Sequence, residues 1–179
     1  GYYGSSPISD YLNLLRVLVR VAHEYGIKVA DGAVFVEYIN LLTTGSWPSR
    51  VDANVKQNKE ILDGLKNIDV DYVNLHLAIH DNYIQPGMIS RSTEYVKAVT
   101  GKNHIITNEY HYENCNSGTG VVDTVTSEWV KSGVEICILW SGDHVENMPE
   151  SGNSPADAFT LGSSLTKLGD DYKAAIAKY

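Results

Sequence analysis

Four short apolar runs, at residues 27–31, 70–78, 104–109 and 134–140, alternate with segments whose apolar residues recur at helical spacing. Strands joined through helices do not pair as hairpins. Each helical crossover brings the chain back to the same end of the sheet, so the expected arrangement is α/β with parallel strands and right-handed connections.

The helical segments carry their own punctuation. In the first, Ile8, Tyr11, Leu12, Leu15, Leu18, Val19 and Ala22 form one apolar face, with Asn13, Arg16, Arg20 and Glu24 opposite. Ser6 is placed to cap this helix, Pro7 suits its first turn, and Gly26 can supply a left-handed stop. A brief helix is expected at 37–42. A longer one at about 51–67 would bury Val55, Ile61, Leu62 and Leu65. Further helices follow at 92–100, closed by Gly101, and at 121–132, closed by Gly133, the latter with Val122, Val125 and Trp129 on one side. A last helix covers 170–178, after a loop rich in Gly, Ser, Asn and Pro.

The order is thus a helix followed by four strand–helix units, and the 179 residues form a single domain. A closed (β/α)8 barrel needs eight strands and about 250 residues. Four strands make either the second half of a larger barrel or a small open sheet, such as a half-barrel that pairs with another copy. An opening helix with no strand before it favours the barrel half, with the first half missing from this sequence.

Composition narrows the partners. A net charge of -8 and a pI near 5.1, with no run of Lys or Arg, argue against nucleic acid. No stretch approaches the roughly 20 apolar residues of a membrane span, and the N-terminus has no signal-peptide pattern. The 12 tyrosines and 3 tryptophans beside only 2 phenylalanines favour rings with a hydrogen-bonding edge, which suit sugar stacking. Cys115 and Cys137 give neither a disulfide framework nor a zinc spacing, and Cys137 is expected to be an inert buried thiol.

In a parallel barrel the chemistry collects at the C-terminal strand ends. Here those ends supply Asp31, His76 to His80, Glu109 with Tyr110 and His111, and Trp140 with Ser141. His76 and His80 are four apart, but not on a helix, so the zinc-protease pair is not formed and no metal is expected. No Gly-rich phosphate loop, nucleophile elbow or strand-end Lys supports phosphoryl transfer, acyl hydrolysis or a Schiff base. No cofactor is implied. A strand-end Glu can attack an anomeric carbon if a second carboxylate protonates the leaving oxygen.

Ile105-Ile106-Thr107-Asn108-Glu109-Tyr110, followed one helix later by Ile138-Leu139-Trp140-Ser141-Gly142, resembles strands seven and eight of the clan-A (β/α)8 glycoside hydrolases. Ala158-Phe159 and Ser163-Ser164-Leu165-Thr166-Lys167-Leu168-Gly169 with Tyr172 are similar to the turn that leads into that family's last helix, and residues 1–25 to the loop and helix after strand four. The resemblance implies the second half of a TIM barrel. It makes Glu109 the nucleophile of a retaining glycosidase, Trp140 the sugar platform, and His76 a histidine lining the sugar site. The family's acid/base Glu would lie just before Gly1 and is absent from this sequence.

Around that centre, Tyr110, His111, Tyr112 and Glu113 are expected to form subsite wall. Asp31 would bind a hydroxyl or cap a loop, and Trp47 and Asp143 are loop candidates, as are His80 and Tyr83 with less support. Trp129 reads as core. The expected partner is a carbohydrate, together with an N-terminal barrel half or a second half-barrel copy to close the fold. Two other readings are a barrel that holds sugar on Trp140 and tyrosines without cleaving it, and a structural half-barrel whose association buries its sheet edges.

Overall fold

Helix α1 (Ile8–Glu24) leads through an isolated bridge at Ala30 into β1 (Val34–Phe35) and α2 (Val36–Thr44), followed by a 3-10 turn (Ser49–Val51) and α3 (Asp52–Leu65). Next come β2 (Val73–His80), α4 (Met88–Thr100), β3 (Ile105–Glu113), α5 (Val121–Ser132) and β4 (Ile136–Leu139). The short strands β5 (Thr160–Leu161) and β6 (Ser164–Leu165) pair antiparallel before α6 (Lys167–Ile176). This computed structural model describes residues 7–32, 34–81, 83–113, 115–139, 160–161, 164–165 and 167–179.

The sheet has the order β1-β2-β3-β4, all parallel, so every neighbouring pair is joined through the helical layer. Its helix-facing side is apolar by alternation. Val73, Leu75, Leu77 and Ile79 of β2 are each 0–1% exposed, and they share one core with Ile61, Leu62 and Leu65 of α3, Ile89 and Val96 of α4, and Val125 and Trp129 of α5. The intervening residues Asn74, His76, Ala78 and His80 face the other way. Helices α1, α3, α4, α5 and α6 pack in succession, each against the next. This is the α/β layering expected from the sequence, in a four-stranded parallel sheet.

Glycine sets two of the helix ends. Gly101 and Gly133 follow α4 and α5 with φ of 71° and 70°, a left-handed turn that a Cβ would disfavour. The first expected strand, 27–31, is instead reduced to the Ala30–Tyr72 bridge, and the ladder forms later, at Val34–Phe35. One reason is Asp71, whose carboxylate accepts from the Val29 amide at 2.8 Å and so replaces a strand partner.

Helix α1 also departs from the single apolar face. Ile8, Leu15 and Val19 are buried, but Leu18 is 51% exposed and joins Leu14, Val17 and Val21 in a second, exposed apolar stripe. Cys137, expected to be buried, lies exposed on β4. Ser6, Trp140 and Asp143 lie outside the described residues.

Candidate active site

Glu109 does not end its strand. β3 runs on to Glu113, and what singles out Glu109 is an irregularity in the ladder. Opposite β2, Asn74 pairs with Ile106 but His76 pairs with Glu109. Opposite β4, Thr107 pairs with Cys137 but Tyr110 with Leu139. Both neighbours therefore find one extra residue in β3 between Thr107 and Tyr110, which is a β-bulge centred on Asn108 and Glu109.

The bulge changes which face each side chain takes. Ile105 and Thr107 are fully buried under the helices. Strict alternation would send Glu109 to that same side, since a strand repeats every two residues. The extra residue reverses the parity, so that Glu109 and His111 take the face of His76, and Tyr110 and Tyr112 turn into the core. At this level β1 has ended, its Phe35 pairing with His76, and β4 ends beside Tyr110. Glu109 thus stands at the C-terminal rim of the four-stranded sheet, and only β2 and β3 continue past it as a two-stranded ribbon.

A bulge leaves backbone groups without ladder partners, and here Asn74 supplies one. The Asn108 amide donates to Asn74 Oδ1 at 3.0 Å, and Asn74 Nδ2 donates to Gly32 O at 3.0 Å and to Asn108 Oδ1 at 2.8 Å. These bonds fix both side-chain amides, because a backbone N–H can only donate. Asn108 Oδ1 is then an acceptor. His76 Nε2, 2.6 Å from it, must be the donor. The other ring nitrogen, Nδ1, is left facing Glu109 Oε2 at 3.7 Å, while His111 Nδ1 lies 3.8 Å from Glu109 Oε1.

One carboxylate therefore sits between two imidazoles. The side chain of Glu109 is 28% exposed, and those of His76 and His111 are 12% and 16% exposed. Phe35 closes one side of His76, ring edge to ring face at 5.5 Å between centroids. Such a group can present an anion to a ligand on the open side, and imidazolium on either flank would stabilise it. No set of three or more His, Cys, Asp or Glu suited to a metal occurs among the described residues.

Asp31 lies beneath this cluster, not at its mouth. It is 3% exposed, and its Oδ1 accepts from the Asn74 amide at 2.5 Å. Burial pushes its carboxyl up from 3.8 to about 7, against the lowering effect of the hydrogen bonds from the Asn74 and Asp31 amides. Tyr11, whose hydroxyl accepts from Gly32 N at 2.6 Å, is pushed up to about 12 by burial and by the nearby Asp31 charge. Asp31 therefore latches the loop before β1 onto β2, in place of the hydroxyl-binding role considered for it.

Two other expected sugar contacts also move. Tyr110 is 3% exposed, packs on Trp129 and Tyr112, and bonds Tyr172 through its hydroxyl at 3.1 Å; burial, with Tyr172 beside it, pushes that hydroxyl well above the ordinary tyrosine range. It is core, as is Tyr112, because the bulge aims both at the helices. Trp47 donates its indole N–H to Asp52 Oδ1 at 3.1 Å, tying the loop to the first turn of α3. Among the described residues no hydrogen bond joins it to Glu109, so it is not part of this cluster. Trp129 is core as expected, 2% exposed.

Of the sequence candidates, then, the structure brings together His76, Glu109 and His111. It adds Asn74, and it gives Asn108, in the sequence only part of the Asn-Glu-Tyr resemblance, a hydrogen-bonding role. Their signal in the sequence is faint: a polar residue in an otherwise apolar β2, and an Asn before the Glu. No protein-family model, no curated protein and no solved structure matches the chain.

Proposed function

We propose that this chain carries the nucleophile side of a retaining glycoside hydrolase acting on a neutral oligo- or polysaccharide. The observation that carries the reading is the bulge at Asn108, which lifts Glu109 onto the open face of the sheet rim between His76 and His111. A carboxylate held there can attack an anomeric carbon to form a glycosyl-enzyme, which water then releases with help from a second carboxylate about 5 to 5.5 Å away. His76, fixed as an Nε2 donor to Asn108, keeps its other nitrogen toward Glu109 and positions it.

The described contacts bring no second carboxylate to Glu109, so the acid/base must come from outside the cluster. A closing (β/α) portion, supplied by a longer chain or by another one, belongs to this reading. That Glu109 has no carboxylate partner among the described residues also favours a second reading, a protein that binds sugar without cleaving it.

Glu109→Gln separates the two, since it removes the nucleophilic charge with little change in volume. Turnover of a neutral glycan should be lost in the Gln form with binding retained, and a 2-fluoro glycoside should label Glu109 in the native chain. Equal turnover in both forms, or a label on another carboxylate, would refute the nucleophile assignment. Sugar binding with no turnover in either form would favour the binding protein.

A further inference from the structure

Past the level of Glu109 along β2 lies a cavity of about 220 Å3 whose lining includes Glu37, Asn40, Ala78, Tyr83, Gln85 and, from the core, Met88. It is made where β1 stops. The Ala78 amide, which would have bonded a longer β1, donates instead to Glu37 Oε1 at 2.8 Å, and α2 continues from there over the end of β2. On the far side the chain leaves β2 in a tight turn, with Asp81 at φ 52° and the Tyr83 amide donating to His80 O at 2.8 Å. That turn holds Tyr83 at the cavity wall, 65% exposed.

The polar end of the cavity is preset. Arg91 donates to Asn40 Oδ1 from Nε at 3.3 Å and from Nη2 at 3.0 Å, and it is itself anchored by the Pro86 carbonyl at 2.7 Å. The guanidinium has no acceptor, so Asn40 Oδ1 must face it, and Asn40 Nδ2 is the atom that donates to Gln85 Oε1 at 2.9 Å. Gln85 is thereby fixed with its oxygen occupied, and its Nε2, with two N–H donors, has no bond to a described residue. A fixed amide donor, a carboxylate and an exposed tyrosine ring around one small space form a site for a ring that bears hydroxyls.

The register gives the distance. Ala78 pairs with His111, as His76 pairs with Glu109, so the cavity begins two residues of extended chain beyond the nucleophile level, about 7 Å. This is about one sugar unit farther along.

We infer that this cavity is a subsite for a sugar unit adjacent to the one at Glu109, with Gln85 Nε2 donating to a hydroxyl and Tyr83 stacking on the ring. The inference rests on the glycosidase reading, and its test is binding, so that the two can fail separately. In the Glu109→Gln form of the full chain, cellotetraose, xylotetraose and mannotetraose are titrated by calorimetry, and glucose, xylose and mannose by saturation-transfer NMR.

At least one tetrasaccharide should bind more tightly than its own monosaccharide. Adding Gln85→Ala should weaken that tetrasaccharide about three- to tenfold, the value of one neutral hydrogen bond, with no change for the monosaccharide. Gln85→Glu should weaken it at least as much, because it keeps the volume but removes both donors. A Glu variant that binds like the parent would assign Gln85 to packing and overturn the subsite. So would unchanged binding in both variants, or no tetrasaccharide binding at all. Whether Glu109→Gln abolishes turnover is read independently and judges only the glycosidase assignment.

Discussion

Glu128 offers the sharpest test of how the helical layer is held. Helix α4 begins after Gly87, which has no side chain with which to cap it. Met88 N finds the Gln85 carbonyl at 3.0 Å, and two further donors are met from a neighbouring helix: Glu128 of α5 accepts from Gly87 N through Oε1 and from Ile89 N through Oε2, the latter at 2.9 Å. Glu128 is 8% exposed, so water is a poor substitute. Hydrogen bonds to a charged group contribute roughly 1.5–3 kcal/mol each, and an anion at a helix N-terminus adds about 0.3–1 kcal/mol. Partial water entry offsets some of this, and Glu128→Ala should cost about 3 kcal/mol. For a chain of this length that lowers the melting temperature by roughly 6–12 °C. Glu128→Gln keeps one acceptor but turns an NH2 toward the other amide, so it should recover less than half of the loss. The control is Glu135→Ala, which breaks an exposed pair with His104 at 2.5 Å and should shift melting by no more than about 2 °C. The reasoning fails if thermal unfolding followed by circular dichroism gives Glu128→Gln the stability of the native chain, or Glu128→Ala no more loss than the control.

Two further predictions concern the groups beneath the site. The folded chain keeps the proton on Asp31 up to about pH 7, whereas an ordinary aspartate loses it near 3.8. This group's contribution to stability is therefore full below about pH 4, falls as the pH rises towards 7, and is flat beyond. Urea midpoints at pH 4, 5.5, 7 and 8 should show Asp31→Asn losing that part of the slope, and parallel profiles for the two proteins would disprove it. Asn74→Ala removes the partners of Asn108 N, Gly32 O and Asn108 Oδ1 at a position 1% exposed, so it should cost about 2–4 kcal/mol in denaturant titration. A loss below about 0.5 kcal/mol, the scale of a surface change, would mean that the bulge does not need it.

Much of the fold was legible because periodicity and punctuation agree. Residues 121–132 read as a helix and are one, since Val122, Val125 and Trp129 recur at helical spacing and Gly133 follows in the left-handed conformation. Strand β2 was found nearly in place, with His76 and His80 among its polar alternates marked as candidates and Asn74 not. Two departures at the first strand share a cause, which is side chains that take up backbone amides. Asp71 takes the Val29 amide beside the Ala30–Tyr72 bridge, which is what forms of the strand expected at 27–31, and Glu37 takes the Ala78 amide where β1 has already ended. Neither exchange can be read from a window of sequence, because the partners are 42 and 41 residues apart.

The site was half legible for the same reason. Strand patterning locates Glu109 near a strand end, but alternation from Ile105 and Thr107 assigns it to the helix side, where a carboxylate would be buried at high cost. Only the extra residue at the bulge resolves the conflict, and Asn74, on another strand, accepts from the amide left over at Asn108. Tyr110 was misplaced by the same step, since whatever frees Glu109 must turn its neighbour inward. The Asn before the Glu, which served as a mark of resemblance, thus has a physical role here. It carries the unpaired amide of the bulge and, through its Oδ1, determines which nitrogen of His76 faces the carboxylate.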